Sequence, residues 1–286
     1  MGGAAFKDKA RRINKEEIIP TLKWLAYKTG LGYPYLINSM MGSAGKSDTS
    51  GDIDLNMDQT KYDKKVLLNK LVTILGPDDV KDWTHVNQIF TCVPITGDPK
   101  HGFVQIDFMF GNPAWQAFSY HSPGPTSQYK GLFRTELIKA AVAFNSDWTL
   151  MENDELVARV GPTFFHDKGL VWRYRHRAPR KDGNGRVKAL TELPEAEFLQ
   201  MYPDAKKASF QLVDSPKGVA ELIFGSDKTL QAFDRYETLS EKLKTFYGRN
   251  AYGTIMGIFE ERLNSLKVDI PKDIIDEILA ATRAAG

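Results

Sequence analysis

Residues 52–58 read Asp-Ile-Asp-Leu-Asn-Met-Asp, and this strict alternation admits few structures. In a β-strand successive side chains point to opposite faces, so Ile53, Leu55 and Met57 share one face and Asp52, Asp54 and Asn56 the other. The apolar face can pack on a core. The opposite face then presents two carboxylates, about 7 Å apart at a rise of about 3.3 Å per residue. The stretch FVQIDFMF (103–110) repeats the pattern: Val104, Ile106, Phe108 and Phe110 form one face, while Asp107 lies on the other between Gln105 and Met109. If the two strands are neighbours, Asp107 becomes a third carboxylate on the same surface. Anions this close repel one another, and a divalent cation relieves the repulsion. An oxygen-only donor set suits Mg²⁺ or Mn²⁺. Three carboxylates can hold two ions roughly 3.5–4 Å apart, the arrangement for in-line attack on a phosphate, with one ion activating the incoming hydroxyl and the other carrying the triphosphate.

The residues before the first strand, MMGSAGKSDTSG (40–51), offer a competing reading. Gly45-Lys46-Ser47 matches the end of a phosphate-binding loop of the form GxxxxGK[ST]. That loop requires a glycine at position 40, which is Met40, and a helix directly after Ser47, where DTSGD follows instead. Register and context both exclude it. What remains is Gly42-Ser43, a short polar spacer with Lys46 and Ser47, and Ser50-Gly51. These supply backbone N–H groups, hydroxyls and one positive charge suited to phosphate oxygens.

Met41-Gly42-Ser43, the spacer, Asp52-Ile53-Asp54-Leu55 and the later Asp107 together resemble the DNA polymerase β-like nucleotidyltransferase superfamily, whose pattern is a hydrophobic residue, G-[GS], a spacer and D-h-[DE]-h. The resemblance covers roughly residues 15–145. It implies that Gly42, Ser43, Lys46, Ser47 and Ser50 line a nucleotide site and that Ser43 helps hold the triphosphate. It further implies that Asp52 and Asp54 bind two Mg²⁺ (or Mn²⁺) ions and that Asp107 helps deprotonate the attacking hydroxyl. The eight-residue spacer is short for the family, and Lys46 stands where a loop arginine is usual.

The rest of the chain fits around this motif. KEEIIPTLKWLAYKT (15–29) has helical spacing interrupted by Pro20, and DKKVLLNKLVTILG (63–76) carries a stripe of Leu67, Leu68, Leu71, Val72 and Leu75 ended by Gly76-Pro77. TCVPIT (91–96) reads as a strand, 111–130 as a Pro/Gly/Ser-rich loop, and GLFRTELIKAAVAF (131–144) as a helix. Residues 155–190 look β-rich with a hairpin turn at DGNG (182–185), and helical patterns dominate from about 191. The expected fold is α+β. An N-terminal mixed sheet flanked by helices forms a catalytic domain over 1–145. A C-terminal domain over 146–286 has a few strands and mostly helices.

Apolar content of 42% and charged content of 26% fit a soluble globular protein, and the net charge of +2 leaves nucleic-acid binding to local clusters. One cysteine, Cys92, excludes an internal disulfide and a Cys-rich zinc site. The five histidines are not spaced as a zinc site. The first residues lack a secretory h-region, Phe6 replaces the Ser or Thr of a myristoylation signal, and no apolar run approaches a membrane span, so a cytoplasmic protein with no membrane partner is expected.

Two basic groups invite a functional reading. Lys130 and Arg134 lie at i and i+4 and could clamp phosphates, with a solvated helix face as the competing reading. VWRYRHRAPRKDGNGRVK (171–188) carries seven basic residues against one acid. Arg173, Arg175 and Arg177 share one strand face and suit a nucleic acid or a triphosphate tail. Alternatively the aromatics of this strand face the core while the arginines pair with acids from the helices. The expected activity is transfer of a nucleoside monophosphate from an NTP to a hydroxyl, with release of pyrophosphate. The acceptor stays open: an RNA or DNA 3′ end (such as that of a tRNA), a protein side chain, a small molecule or a second nucleotide. A synthase of cyclic or linear oligonucleotides and a non-catalytic nucleic-acid-binding relative are the alternatives.

Overall fold

Two short strands and a helix open the N-terminal fold: β1 (Ile13–Asn14) pairs antiparallel with β2 (Thr49–Ser50), and α1 (Lys15–Thr29) follows at once. The Glu17 carboxylate accepts a hydrogen bond of 2.9 Å from the Asn14 amide, half of a capping box at the helix start. Gly30 ends the helix in the left-handed conformation at φ 66°. Pro20 does not break α1. It removes a single hydrogen bond, to the carbonyl of Glu16, and the turns on both sides hold the helix together. This computed structural model describes residues 4–153, 155–177, 190–207 and 213–283. The chain is mixed α/β and divides into two units: Met1–Gly131 with His166–Lys168, and Leu132–Phe165 with Gly169–Gly286.

In the first unit, α2 (Tyr33–Asn38) leads to β3 (Asp52–Asp58), α3 (Lys64–Leu75), β4 (Val80–Trp83), β5 (Gln88–Pro94), β6 (Phe103–Gly111) and α4 (Pro113–Ser119). The strands form one sheet in the order β3-β6-β5-β4. β3 and β6 run parallel, while β5 is antiparallel to both β6 and β4. The alternation read from the sequence sets the faces. Ile53, Leu55, Met57, Val104, Ile106, Phe108 and Phe110 are all buried in one core with Leu22 and Leu25 of α1, Leu36 of α2 and Leu71 of α3. The central strand β6 is buried on its other face too, at Gln105, Asp107 and Met109. Tyr35 of α2 fastens the end of β3, donating to the Asn56 carbonyl and accepting from the Asp58 amide.

The 111–130 stretch is not wholly loop. Asn112 caps α4 by accepting from Ala114 N–H, and Pro113 takes the first helical position, where its missing N–H costs nothing. In the second unit α5 (Gly131–Ser146) precedes an antiparallel meander of β7 (Trp148–Glu152), β8 (Glu155–Phe165), β9 (Gly169–Arg177) and β10 (Leu190–Glu192). The expected turn at 182–185 lies outside the described residues. Four helices complete this unit: α6 (Glu195–Met201), α7 (Pro216–Phe224), α8 (Tyr236–Leu266) and α9 (Lys272–Arg283). α8 is kinked at Gly248, whose φ of 71° and ψ of −179° a residue with a Cβ would rarely adopt, so two helical halves meet there. Glu277 of α9 ties the two halves of α8 together, accepting from Tyr236 at 2.8 Å and Tyr252 at 2.7 Å. No helix among the described residues is long and apolar enough to cross a membrane.

One tight contact fixes α1 against the turn after β5. A Cβ added at Gly97, which has φ 82°, would lie 2.1 Å from the Trp24 ring, and the Thr96 amide donates to Thr21 of α1. Gly97→Ala is therefore expected to destabilise the fold by about 1–3 kcal/mol through overpacking. Chemical denaturation checks this, and an unchanged midpoint would contradict the packing described.

Candidate metal centre

The site is built where three backbone segments converge on β3. After α2 the chain runs antiparallel to the free edge of β3: Met40 bridges Leu55, Asn56 N–H donates to Ser39 carbonyl, and Met41 N–H donates to Asp54 carbonyl. It then turns sharply at Gly42, which has φ 63° and donates its N–H to the Tyr120 carbonyl at 3.1 Å. A Cβ at Gly42 would sit 3.0 Å from Oδ2 of Asp54. Glycine is thus needed twice here, for the left-handed backbone and for the approach to a carboxylate. The Ser43 carbonyl accepts from the amides of Lys46 and Ser47, rolling 43–47 into a single tight turn.

The parallel register of β3 and β6 sets Asp54 directly against Asp107, and Asp52 against Gln105. One carboxylate oxygen from each of Asp52, Asp54 and Asp107 lies within 4.8 Å of the other two. Gln105 Nε2 donates to Asp107 Oδ1 at 2.8 Å, and the Ala5 amide donates to Gln105 Oε1 at 2.9 Å, which orients that side chain. Burial, and after it the charge of Asp52, raises the pKa of Asp54. Asp54 keeps some solvent-accessible surface, while dense protein surrounds its carboxylate. Burial and then the Asp54 charge push Asp107 up to about 8, against the smaller opposing effect of the Gln105 hydrogen bond. Holding three such carboxylates together costs free energy unless a cation is present. The donor set is all oxygen and fits a hard divalent cation such as Mg²⁺ or Mn²⁺.

Tyr120, at the end of α4, belongs to this neighbourhood. Burial first, then the charges of Asp54, Asp107 and Asp167, hold its phenol far above its ordinary pKa. Nothing in the local sequence marks Tyr120, because its position depends on how α4 returns to the Gly42 turn.

The other expected site residues are placed as follows. Gly42 adjoins Asp54. Ser43, Lys46 and Ser47 are exposed on the turn, and Lys46 Nζ donates to the Ser122 carbonyl at 2.7 Å, strapping the turn to the 120–126 loop. Ser50 is buried in β2, and its hydroxyl finds no hydrogen-bond partner among the described residues. Lys130 is exposed and precedes α5. Arg134 differs from the expected clamp: it is 2% exposed, its Nε donates to the Phe233 carbonyl, and burial lowers its pKa to about 10. The apolar side of α5, with Phe133, Leu137 and Ile138, carries Arg134 inward with it. On β9, Trp172 and Tyr174 face the core, Arg173 pairs with Glu192, and Arg177 pairs with Glu155. The acids come from neighbouring strands rather than from helices. Arg180, Lys181, Arg186 and Lys188 lie outside the described residues.

No protein-family model matches this chain, and no curated protein sequence matches it.

The raised carboxylates give stability a pH dependence of known sign. Asp107 binds its proton more tightly folded than unfolded, so between about 4 and about 8 the folded state holds more protons and stability falls as pH rises. In EDTA the melting temperature of the wild type should fall across this window, and that of Asp107→Asn should fall less. Mn²⁺ favours the ionised form, so it should raise the melting temperature more at pH 8 than at pH 5. Equal slopes for wild type and variant would contradict the assignment.

Proposed function

We propose that the chain is a divalent-cation-dependent nucleotidyltransferase that moves a nucleoside monophosphate from an NTP to a hydroxyl acceptor and releases pyrophosphate. The observation that carries this reading is the direct cross-strand pairing of Asp54 with Asp107 beside Asp52, which brings three carboxylate oxygens within 4.8 Å. Of the residues before β3, Met41 donates its amide to the Asp54 carbonyl and Gly42 adjoins the Asp54 carboxylate.

Asp52, Asp54 and Asp107 would hold the cations, which when bound supply Lewis-acid stabilisation of charge on phosphate oxygens. Following the resemblance, Asp107 would accept the proton of the attacking hydroxyl; a bound cation favours its ionised form, the form able to do so. Gln105 holds the Asp107 carboxylate in one orientation through the 2.8 Å bond. Gly42 leaves Asp54 Oδ2 unobstructed on the side of the turn, and Ser43, exposed at the head of that turn, would meet phosphate oxygens. Lys46 supports the turn through Ser122 rather than extending toward solvent as a lone charge. The proton leaves the acceptor for Asp107, the acceptor oxygen bonds to the α-phosphorus, and the bond to the pyrophosphate oxygen breaks.

Asp52→Ala and Asp54→Ala should each lower pyrophosphate release from NTPs by at least about 100-fold, since losing even one group that stabilises transition-state charge costs about 2.7–4 kcal/mol. Circular dichroism should show an unchanged fold. Incubation with α-labelled NTPs and a pool of RNA, DNA and protein identifies the acceptor. Turnover at wild-type rates in either variant, or no melting shift of the wild type with Mg²⁺ and any NTP, would overturn the proposal.

A further inference from the structure

The second unit carries a row of arginines that the proposed chemistry does not use. The β7-β8-β9-β10 register aligns Thr149, Arg159, Arg175 and Glu192 across the sheet, with Arg173 and Arg177 on the same face of β9. The opposite face is the buried one: Ala158, Val160, Trp172 and Tyr174 are buried, and Phe198 of α6 packs on Tyr174 and Trp148. The arginine face is therefore the polar face of the sheet.

The ion pairs on this face leave an imbalance. Arg159 pairs with Asp147, Arg173 with Glu192 and Arg177 with Glu155. Arg175, at the centre of the row, makes no hydrogen bond or ion pair with any of the described residues. Burial and the neighbouring charges of Arg173 and Arg159 act against its own charge, which Glu192 and Asp147 offset only in part. A half-buried guanidinium between two others, with no carboxylate of its own, is stabilised by an anion from outside. The three flanking pairs do not prevent this. Glu155 and Glu192 are exposed, and exposed pairs contribute only about 0–1 kcal/mol, so phosphate oxygens can compete for Arg173 and Arg177. The sequence adds charge of the same sign. The connection 178–189 leaves the sheet at Arg177 and rejoins it at Leu190, which pair in register, and contains Arg180, Lys181, Arg186 and Lys188 against Asp182 alone.

We propose that the Arg159–Arg175 face binds phosphate anions with Arg175 as the central contact, and that these belong to the backbone of a single-stranded nucleic acid. Arginines spaced along a strand present a line of charge, which suits a linear polyanion better than the compact tail of one nucleotide. The inference does not depend on the metal centre, so it can be tested with that centre disabled.

The experiment is fluorescence anisotropy of labelled single-stranded RNA and DNA 16-mers with the full chain in EDTA, with ATP as a competitor. Wild type and Asp54→Ala should bind alike. Arg175→Ala should weaken binding roughly five- to tenfold and reduce the slope of log K against log salt by about one. Its melting temperature should not fall, because the residue has no hydrogen-bond or ion-pair partner among the described residues to lose, and Arg175→Gln provides a second variant of similar volume. If Arg175→Ala instead weakens binding of labelled ATP while oligonucleotide binding is unchanged, the phosphate site stands and its source is a free nucleotide. If both variants bind oligonucleotides and ATP as wild type does, with an unchanged salt slope, the proposal is overturned.

Discussion

The proximity of Asp54 and Asp107 across a parallel strand pair is the constraint around which the first unit is organised. Two carboxylates this close repel, and here the backbone register fixes their approach, leaving side-chain freedom little room to relieve it. The apolar residues that alternate with them, Ile53, Leu55, Ile106 and Phe108, are fully buried and lock that register: a slip of one residue would turn the whole set out of the core. The hydrophobic core thus maintains an electrostatic arrangement that would be unfavourable alone.

The surroundings answer that cost at specific points. Gly42 removes the side chain that would meet Asp54, Gln105 donates to Asp107, and the Ala5 amide fixes the Gln105 side chain. The Gly42 amide is tied to the Tyr120 carbonyl and Lys46 to the Ser122 carbonyl, so the turn beside the carboxylates is braced from two sides. This bracing gives Lys46 a structural task and preorganises the turn at which Ser43 is exposed.

Much of the site could be read in the sequence because it depends on period-two alternation, which local sequence encodes. The facing of Asp52 and Asp54 and the mirror pattern around Asp107 are both of this kind, whereas the left-handed backbone at Gly42 is no part of that alternation. The pairing of β3 with β6 is not local: about fifty residues separate them, and β4 and β5 intervene, so adjacency could be expected from the chemistry but not from the pattern. Arg134 shows the opposite failure. Its i, i+4 spacing from Lys130 suggested a solvent-facing clamp, but Lys130 precedes the helix and Arg134 follows the apolar side of α5 to the Phe233 carbonyl. α4 was concealed by the Pro and Gly around it, although Asn112-Pro113 is a helix-start signal in plain sight. The pairing of Arg173 and Arg177 with acids was one of two readings of the sequence, but their partners, Glu192 and Glu155, lie on adjacent strands rather than on helices.

The central claim is that the three carboxylates are a cation site rather than a buried charge cluster of purely structural origin. Titration of the metal-free protein with Mn²⁺, followed by the loss of free-ion electron paramagnetic resonance signal, tests it most directly. The account predicts saturable binding by the wild type at neutral pH, and binding lost or weakened at least tenfold in both Asp54→Asn and Asp107→Asn. Mn²⁺ binding in those variants as tight as in the wild type would contradict it.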